Sequence, residues 1–266
     1  MFIPSDSQQH SFEATVFDVG QGTAVVMRSQ HAVVVYDTGA RYPSGFAPFE
    51  HTALPWLKGS GISTVDLLFL SHDDIDHTGG EAALQKALAV NLRVVGQSQM
   101  LSSGDQLCAK GQAWQAGELR LSALSGSEGE NDNEMSCVLL VESKNCRFLL
   151  AGDIGATTEA EIISELKANH GGSQKPIHWL LAAHHGSRYS STDTFLRYVK
   201  PEHIVFSSGY LNRFNHPHPD VLSRAQAVGA ESHRTDLHGA IRLWEQDGKC
   251  LASRWRDQRL RFWSRY

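Results

Sequence analysis

The chain is expected to form an α/β (α+β) fold, with sheets covered by helices in one compact domain. Three observations predict it. Strand-like apolar runs dominate the first half, strands alternate with helical periodicity in the second, and the apolar runs are short and bounded by turn residues.

The elements follow in order. Phe12–Asp18, Ala24–Arg28 and Ala32–Asp37 are rich in Val and punctuated by Gly, as strands are. Val65–Leu70 reads as a buried strand that runs straight into Ser71-His72. After Gly79-Gly80, the segment Glu81–Ala89 has the apolar spacing of a short helix. Strand signals return at Leu92–Val95, Leu119–Leu124, Val138–Glu142 and Arg147–Leu150. Thr158 with Glu161 has the form of a capping box, opening a helix over Glu159–Ala168 with Ile162, Ile163 and Leu166 on one face. His178–Ala183 is a further buried strand, ending at His184-His185. Helix is expected at Thr194–Val199 and Pro219–Val228, and strand at Ile204–Ser207. Ala240–Trp244 and Leu251–Trp255 pair as a final hairpin across Gln246-Asp-Gly-Lys249. Arg41–Phe49 and Ser125–Asn133 read as loops.

At 266 residues the chain can bury roughly three quarters of the surface its unfolded form exposes, so its core should need no disulfide staples. Of the four cysteines, Cys137, Cys146 and Cys250 fall in strand-like runs, where a buried thiol is the simpler reading. A disulfide stays possible, which leaves the redox compartment open. A net charge of -5 argues against a surface that attracts nucleic acid everywhere, though Arg254 to Arg265 forms a local basic patch. No apolar run approaches the roughly 18 residues of a membrane span. No charged-then-apolar leader opens the chain. The chain is therefore expected to be soluble, as a whole protein or as a piece of a larger membrane protein.

The strongest chemical signal is His72-Asp-Asp-Ile-Asp-His77, two imidazoles and three carboxylates between a buried strand and a helix. Repulsion among the carboxylates is costly unless a cation offsets it, and borderline divalent cations accept nitrogen and oxygen together. The alternative is a solvated acidic turn. Asp153 ends another strand, where its two oxygens can serve two ions; alternatively it favours a helix N-terminus. His184-His185-Gly186-Ser187 follows a third strand. Adjacent side chains in extended chain point opposite ways, so one histidine should ligate while the other packs or hydrogen-bonds.

These segments, Ser71-His-x-Asp-x-Asp-His77-x-Gly-Gly80, Ala151-Gly-Asp153 and His184-His-Gly-Ser187, resemble the motifs of the metallo-β-lactamase superfamily. More narrowly, Phe17-Asp-Val-Gly-Gln-Gly22, Tyr36-Asp-Thr-Gly39, Asn131-Asp-Asn133 with Ser136, and Arg234-Thr-Asp236 with Gly239-Ala-Ile241 look like the C-terminal domain of the ComEC/Rec2 DNA-uptake competence channels. The likeness runs in order from about Phe12 to Trp244. It implies a four-layer αβ/βα sandwich, two mixed sheets flanked by helices. It implies two divalent metal ions, the first held by His72 and Asp74, the second by Asp76 and His77 with His184 or His185, and Asp153 bridging. Asp37 would orient ligands, and Asp18 would sit in a glycine turn close to the site. Asp74 stands where the superfamily pattern has a second histidine, and the first site's third histidine is missing, with Asp132 and Asn133 the nearest candidates. More oxygen and less nitrogen favours Mn2+ over Zn2+.

Two divalent cations held together activate water near neutral pH and offset charge developing on a phosphodiester. The resemblance implies DNA as substrate, single-stranded above all, and degradation of the strand that is not imported. The parent would be a membrane channel protein. Asp76 and Asp153 would act at the reacting centre, with His216 or His218 donating to a leaving group or phosphate oxygen; turn histidines between prolines are the alternative. Ser187, Arg188 and Ser190 are candidates to hold phosphate, or else form a helix-capping loop. In the tail, Arg256, Arg259 and Arg261 interleave with aromatics, a pattern that binds phosphates and stacks on bases, or else a last strand docked on the body. Two further function classes fit the same residues: a hydrolase of small esters, lactones or phosphorylcholine-like groups, and a non-catalytic DNA-binding module with a degenerate metal site.

Overall fold

The computed structural model describes residues 12–127, 129–169 and 175–258. The chain first lays down an antiparallel meander, β1 (Glu13–Val16), β2 (Ala24–Arg28) and β3 (Val33–Thr38). It crosses through helix α1 (Ala53–Gly59) to β4 (Thr64–Leu70), then through α2 (Ile75–Thr78) and α3 (Glu81–Ala87) to β5 (Ala89–Val95) and the short β6 (Gln106–Leu107). β3 to β6 are parallel. A second sheet follows. β7 (Ala113–Ala116), β8 (Leu119–Ser125), β9 (Val138–Glu142) and β10 (Arg147–Leu150) run antiparallel. Helix α4 (Ala156–Asn169) leads to β11 (Trp179–Leu181), α5 (Asp193–Val199) to β12 (His203–Phe206), and α6 (Pro219–Ala227) to β13 (Glu231–Arg234), all three strands parallel to β10. After α7 (Thr235–His238) the chain returns to the first sheet: β14 (Ile241–Gln246) pairs with β1, and β15 (Lys249–Arg254) folds back on β14 before the turn α8 (Trp255–Gln258).

Both sheets are mixed and both faces of each are covered. Strand alternation sends Val34 and Tyr36 inward to meet Phe148 and Trp179 of the other sheet, while Val35 faces outward onto α1 residues Trp56 and Leu57. In the second sheet Phe148 and Leu150 face inward, and Leu149 faces outward onto Ile162 and Leu166 of α4 and Phe195 of α5. The result is helix, sheet, sheet, helix, the expected four-layer αβ/βα sandwich.

Some expectations change. Helix α4 starts at Ala156, so Thr158 lies in its first turn and caps nothing. Glu134 serves that end instead, its carboxylate accepting from Thr158 N–H at 3.2 Å. The strand expected over His178–Ala183 ends at Leu181. The cysteines are not free thiols. Cys108 pairs with Cys137 and Cys146 with Cys250. Each bond joins the first sheet, at or just beyond β6 and β15, to the second, just ahead of β9 and β10. Three of the four sulfurs sit in the core between the sheets.

The two bonds close spans of 29 and 104 residues. On loop-closure entropy they hold down the unfolded chain by about 4 and 5 kcal/mol. Reduction is therefore expected to lower the melting temperature by at least about 10 °C in differential scanning calorimetry. The native protein, unfolded without reductant, should show no free thiol to a thiol reagent; a full complement of thiols would contradict the pairing.

Candidate metal centre

Five segments meet at the C-terminal ends of parallel or central strands. Asp37 comes from the end of β3. There the pairing of β2 slips, Ala24 opposing Thr38 while Val25 opposes Tyr36, so Asp37 is the extra residue of a bulge, at φ 58°. A bulge turns one side chain out of the alternation. It aims the fully buried Asp37 carboxylate at the start of the 72–77 turn, where Oδ1 accepts from Ser71 N–H at 2.7 Å and Oδ2 from the Ser71 hydroxyl at 2.8 Å. Oδ2 also pairs with His77 Nδ1 at 2.7 Å. That contact fixes the tautomer: Nδ1 carries the proton and Nε2 presents its lone pair.

His185 is set the same way. Its Nδ1 donates to the Ser207 carbonyl at the end of β12, 2.8 Å away, and its Nε2 turns inward. His184 and His185 occupy a tight turn at φ 51° and 56°, a backbone region costly for residues with a Cβ. The pair is thus not extended, and the expectation of opposite directions fails for that reason. Both Nε2 atoms reach Asp153 Oδ2, at 3.7 Å from His184 and 3.5 Å from His185. His185 is buried and His184 partly exposed. Asp153 is held at the end of β10 by its own N–H, which donates to Ser136 Oγ at 3.1 Å. Ahead of it, Gly152 sits at φ +58°, and a Cβ there would lie 2.7 Å from that of Ser136. Gly22 allows the opposite wall to close: a Cβ on it would come within 2.3 Å of the Asp76 carbonyl.

The inward-facing atoms form two overlapping groups, His72, His77 and Asp153, and Asp76, His77 and His185, each within 4.8 Å. His77 Nε2 lies 3.2 Å from Asp153 Oδ1 and 3.2 Å from His185 Nε2. With both Nδ1 atoms committed outward, the two Nε2 atoms face each other and two carboxylates, and only protons on Nε2 or a cation can bridge them. Among the described residues His72 Nε2 is buried without a hydrogen-bond partner, 3.4 Å from Asp74 Oδ2. The arrangement asks for positive charge. Burial alone would lower His77 and His185, but Asp153 first, with Asp37 beside His77 and Asp76 beside His185, pushes both imidazoles up, His77 well above its ordinary value. Burial would raise Asp76, yet the bond from His185 and the neighbouring imidazoles hold it at about 2. Against the same burial, His185 and His77 hold Asp153 well below the usual carboxylate range. Divalent cations meet that demand and suit this mixed nitrogen and oxygen donor set.

The remaining expected residues fall into two sets. His216 is brought to the rim, its ring 5.8 Å from that of His184 and 6.5 Å from that of His185. Burial, then the nearby histidines, lowers it to about 4, so it is neutral near pH 7. Gln21 Oε1 accepts from Gly209 N–H at 3.3 Å, which turns its Nε2 toward His216 Nδ1 at 3.5 Å and leaves the His216 proton on Nε2. His218 instead caps α6, Nδ1 accepting from Asp220 N–H. Ser187 accepts from Tyr189 N–H within its own loop. Asp132 and Asn133 stay outside the two groups: Asp132 is exposed, and its carbonyl accepts from Gln97. Of that segment it is Ser136, buried between Asp153 and His72, that enters the site. Asp18 pairs with Arg256 at 3.0 Å rather than with any ligand. Arg259 and Arg261 lie outside the described residues. A third close group, His203, Glu231 and His233, already holds a cation of its own, since Arg254 donates to His233 Nδ1 and to Glu231.

Comparison with known proteins agrees with the fold. The profile of the metallo-beta-lactamase superfamily matches residues 17–209, and the chain belongs to that superfamily. Its curated relatives are narrower. It is 34% identical over 257 residues to Competence protein ComA of Neisseria gonorrhoeae, covering 96% of this chain and 35% of that protein. It is 31% identical over 236 residues to Recombination protein 2 of Haemophilus influenzae, covering 88% of this chain and 29% of that one. The chain thus spans about a third of the length of these relatives. Among solved structures, the metallo-beta-lactamase fold protein YhfI of Bacillus subtilis superposes with a TM-score of 0.57 at 10% identity, covering 91% of this chain and 99% of that one.

Two outcomes follow. Asp37→Asn, which cannot accept from Ser71 and His77 as the carboxylate does, is expected to weaken metal binding about 10–100-fold in a chelator competition while leaving the melting curve near wild type. Metal entry must displace the protons that His77 and His185 hold. Affinity should therefore rise with pH until both imidazoles are deprotonated, with protons released on binding; calorimetry in buffers of different ionisation enthalpy measures that release. Proton uptake on binding would contradict the ligand set.

Proposed function

We propose that the chain is a metal-dependent phosphodiesterase that cuts DNA, single strands above all, and that it forms part of a larger membrane channel protein for DNA uptake, where it degrades the strand that is not imported. The observation that carries the reading is the pair of donor groups sharing His77, in a chain whose relatives bear competence and recombination names. His72, Asp74 and Asp153 would hold one divalent ion; Asp76, His77 and His185 the other, with Asp153 between them and His184 beside it. The oxygen-rich first set favours Mn2+ over Zn2+. Bound there, two ions supply Lewis acidity and an activated water. The protein's own groups do the rest. Asp37 and Ser207 hold His77 and His185 in the ligating tautomer. His216, neutral and protonated on Nε2, is placed to donate a hydrogen bond to a phosphate or leaving oxygen. The two disulfides support a position on the oxidising side of the parent's membrane.

The test is cleavage of labelled single- and double-stranded DNA and of a chromogenic phosphodiester, with Mn2+, Zn2+ or EDTA. Metal-dependent DNA cleavage is expected. Asp76→Ala should cost at least about a thousandfold. Asp73→Ala should cost little, because among the described residues the Asp73 carboxylate has no contact with the donor set, whereas Asp74 lies 3.4 Å from His72 Nε2. His216→Ala should lower kcat about a hundredfold with metal content unchanged. Cleavage of the small ester alone would point instead to a small-molecule hydrolase, and DNA binding without turnover to a binding module.

A further inference from the structure

Two loops, 186–190 and 209–218, lie beside the histidines of the metal centre and touch where His218 N–H donates to the Gly186 carbonyl at 2.8 Å. Both loops present aromatic rings to solvent. Tyr189 is 76% exposed in the first; Tyr210 is 71% and Phe214 48% exposed in the second. Single exposed rings are ordinary on a protein surface, but Tyr189 and Phe214 stand on backbone that is pinned. Arg224 Nη2 donates to the carbonyls of Arg188 and Ser190, on either side of Tyr189. Asn212 clamps the second loop: its Oδ1 accepts from the N–H groups of Phe214 and His216, and its Nδ2 donates to the carbonyls of Gly209 and His216. Rings fixed in this way need little ordering when a partner arrives.

Phe214 also continues inward. Its ring stacks on His216 at 5.6 Å and 26°, and His216 stacks toward His185 at 6.5 Å and 26°. A file of planar groups thus runs from solvent to the donor set. Phe214 and Tyr189 each carry a guanidinium, Arg213 lying 4.7 Å from the Phe214 centroid and Arg188 5.7 Å from that of Tyr189. Among the described residues no carboxylate pairs with Arg213. Arg188 has only exposed Asp220 at 3.7 Å, a solvent-screened contact worth little. Both cations are therefore free to turn to a phosphate.

We infer that Tyr189 and Phe214, with Arg188 and Arg213, form the rim that receives a single-stranded polynucleotide, one base stacking on each ring while the arginines meet the flanking phosphates. This deepens the nuclease reading by naming the feature that selects single strands. Bases in a duplex are already stacked and paired, so a duplex could offer the rim its phosphates but not its bases.

Binding, measured by fluorescence anisotropy in EDTA, tests the rim without cleavage. The probes are a labelled oligothymidylate of about twelve nucleotides, an abasic strand of equal length, and a duplex. Wild type should bind the oligothymidylate at least tenfold more tightly than the abasic strand or the duplex. Tyr189→Ala and Phe214→Ala should each lose about tenfold for the oligothymidylate and almost nothing for the abasic strand. Tyr189→Phe and Phe214→Tyr, which keep a ring, should retain wild-type binding. Hydrolysis of the chromogenic diester should stay within about twofold of wild type in both Tyr189 variants, which reports an intact centre. Equal affinity of wild type for the base-bearing and abasic strands would overturn the inference, as would unchanged oligothymidylate binding by the alanine variants. Ring-dependent binding with no DNA cleavage would uphold the rim and sink the nuclease reading.

Discussion

The constraint on which this fold turns is electrostatic. Two buried imidazoles, their outer nitrogens committed to Asp37 and to the Ser207 carbonyl, bring their remaining lone pairs to within 3.2 Å of each other and close to the carboxylates of Asp76 and Asp153. Such a cluster cannot be left to itself in a dry interior. Protons or cations must fill it, since burying unpaired charge of one sign is among the costliest things a protein can do. Asp37 and Ser207 fix which nitrogens face inward, so a cation that displaces the protons meets a pocket lined with electron-pair donors.

Holding that cluster requires backbone no regular element would adopt. Asp37 is squeezed out in a bulge, His184 and His185 sit in the left-handed region, and Gly22 and Gly152 admit contacts a Cβ would block. Strain of this kind survives only where the surroundings over-determine it. Here the surroundings are two mixed sheets packed through a continuous core, with helices on both outer faces and two disulfides tying one sheet to the other. The site lies where β3, β4, β10, β11 and β12 end, so loops carry the chemistry while strands fix where those loops begin.

Much of this was legible in the chain. Apolar runs marked β2, β9 and β10 at their observed ends, because strands buried on both faces have little else to be. The histidines and acids of the 72–77 turn, Asp153 and the 184–185 pair stood out because such residues at strand ends need an explanation. Other parts left weaker traces. Helix α1 contains a proline and is brief, and β13, Glu231–Arg234, carries only polar side chains. Ser71 and Ser136 stood in the motifs, but the partners of their hydroxyls did not show there, and Ser207 serves through a backbone carbonyl that no side-chain pattern marks. Cysteine pairing depends on which strands become neighbours across the two sheets, which spacing does not reveal. The left-handed turn at His184 was hidden for a related reason: only tertiary contacts hold two non-glycine residues there.

Anomalous diffraction from crystals grown with Mn2+, recorded on both sides of the metal's absorption edge, tests the central claim most directly. Two peaks a few ångströms apart are expected, one within reach of His72 Nε2 and Asp153, the other within reach of His77 Nε2, His185 Nε2 and Asp76, with Asp153 between. A pocket that shows no peak in metal-soaked crystals, with its imidazoles paired to carboxylates by protons alone, would contradict it.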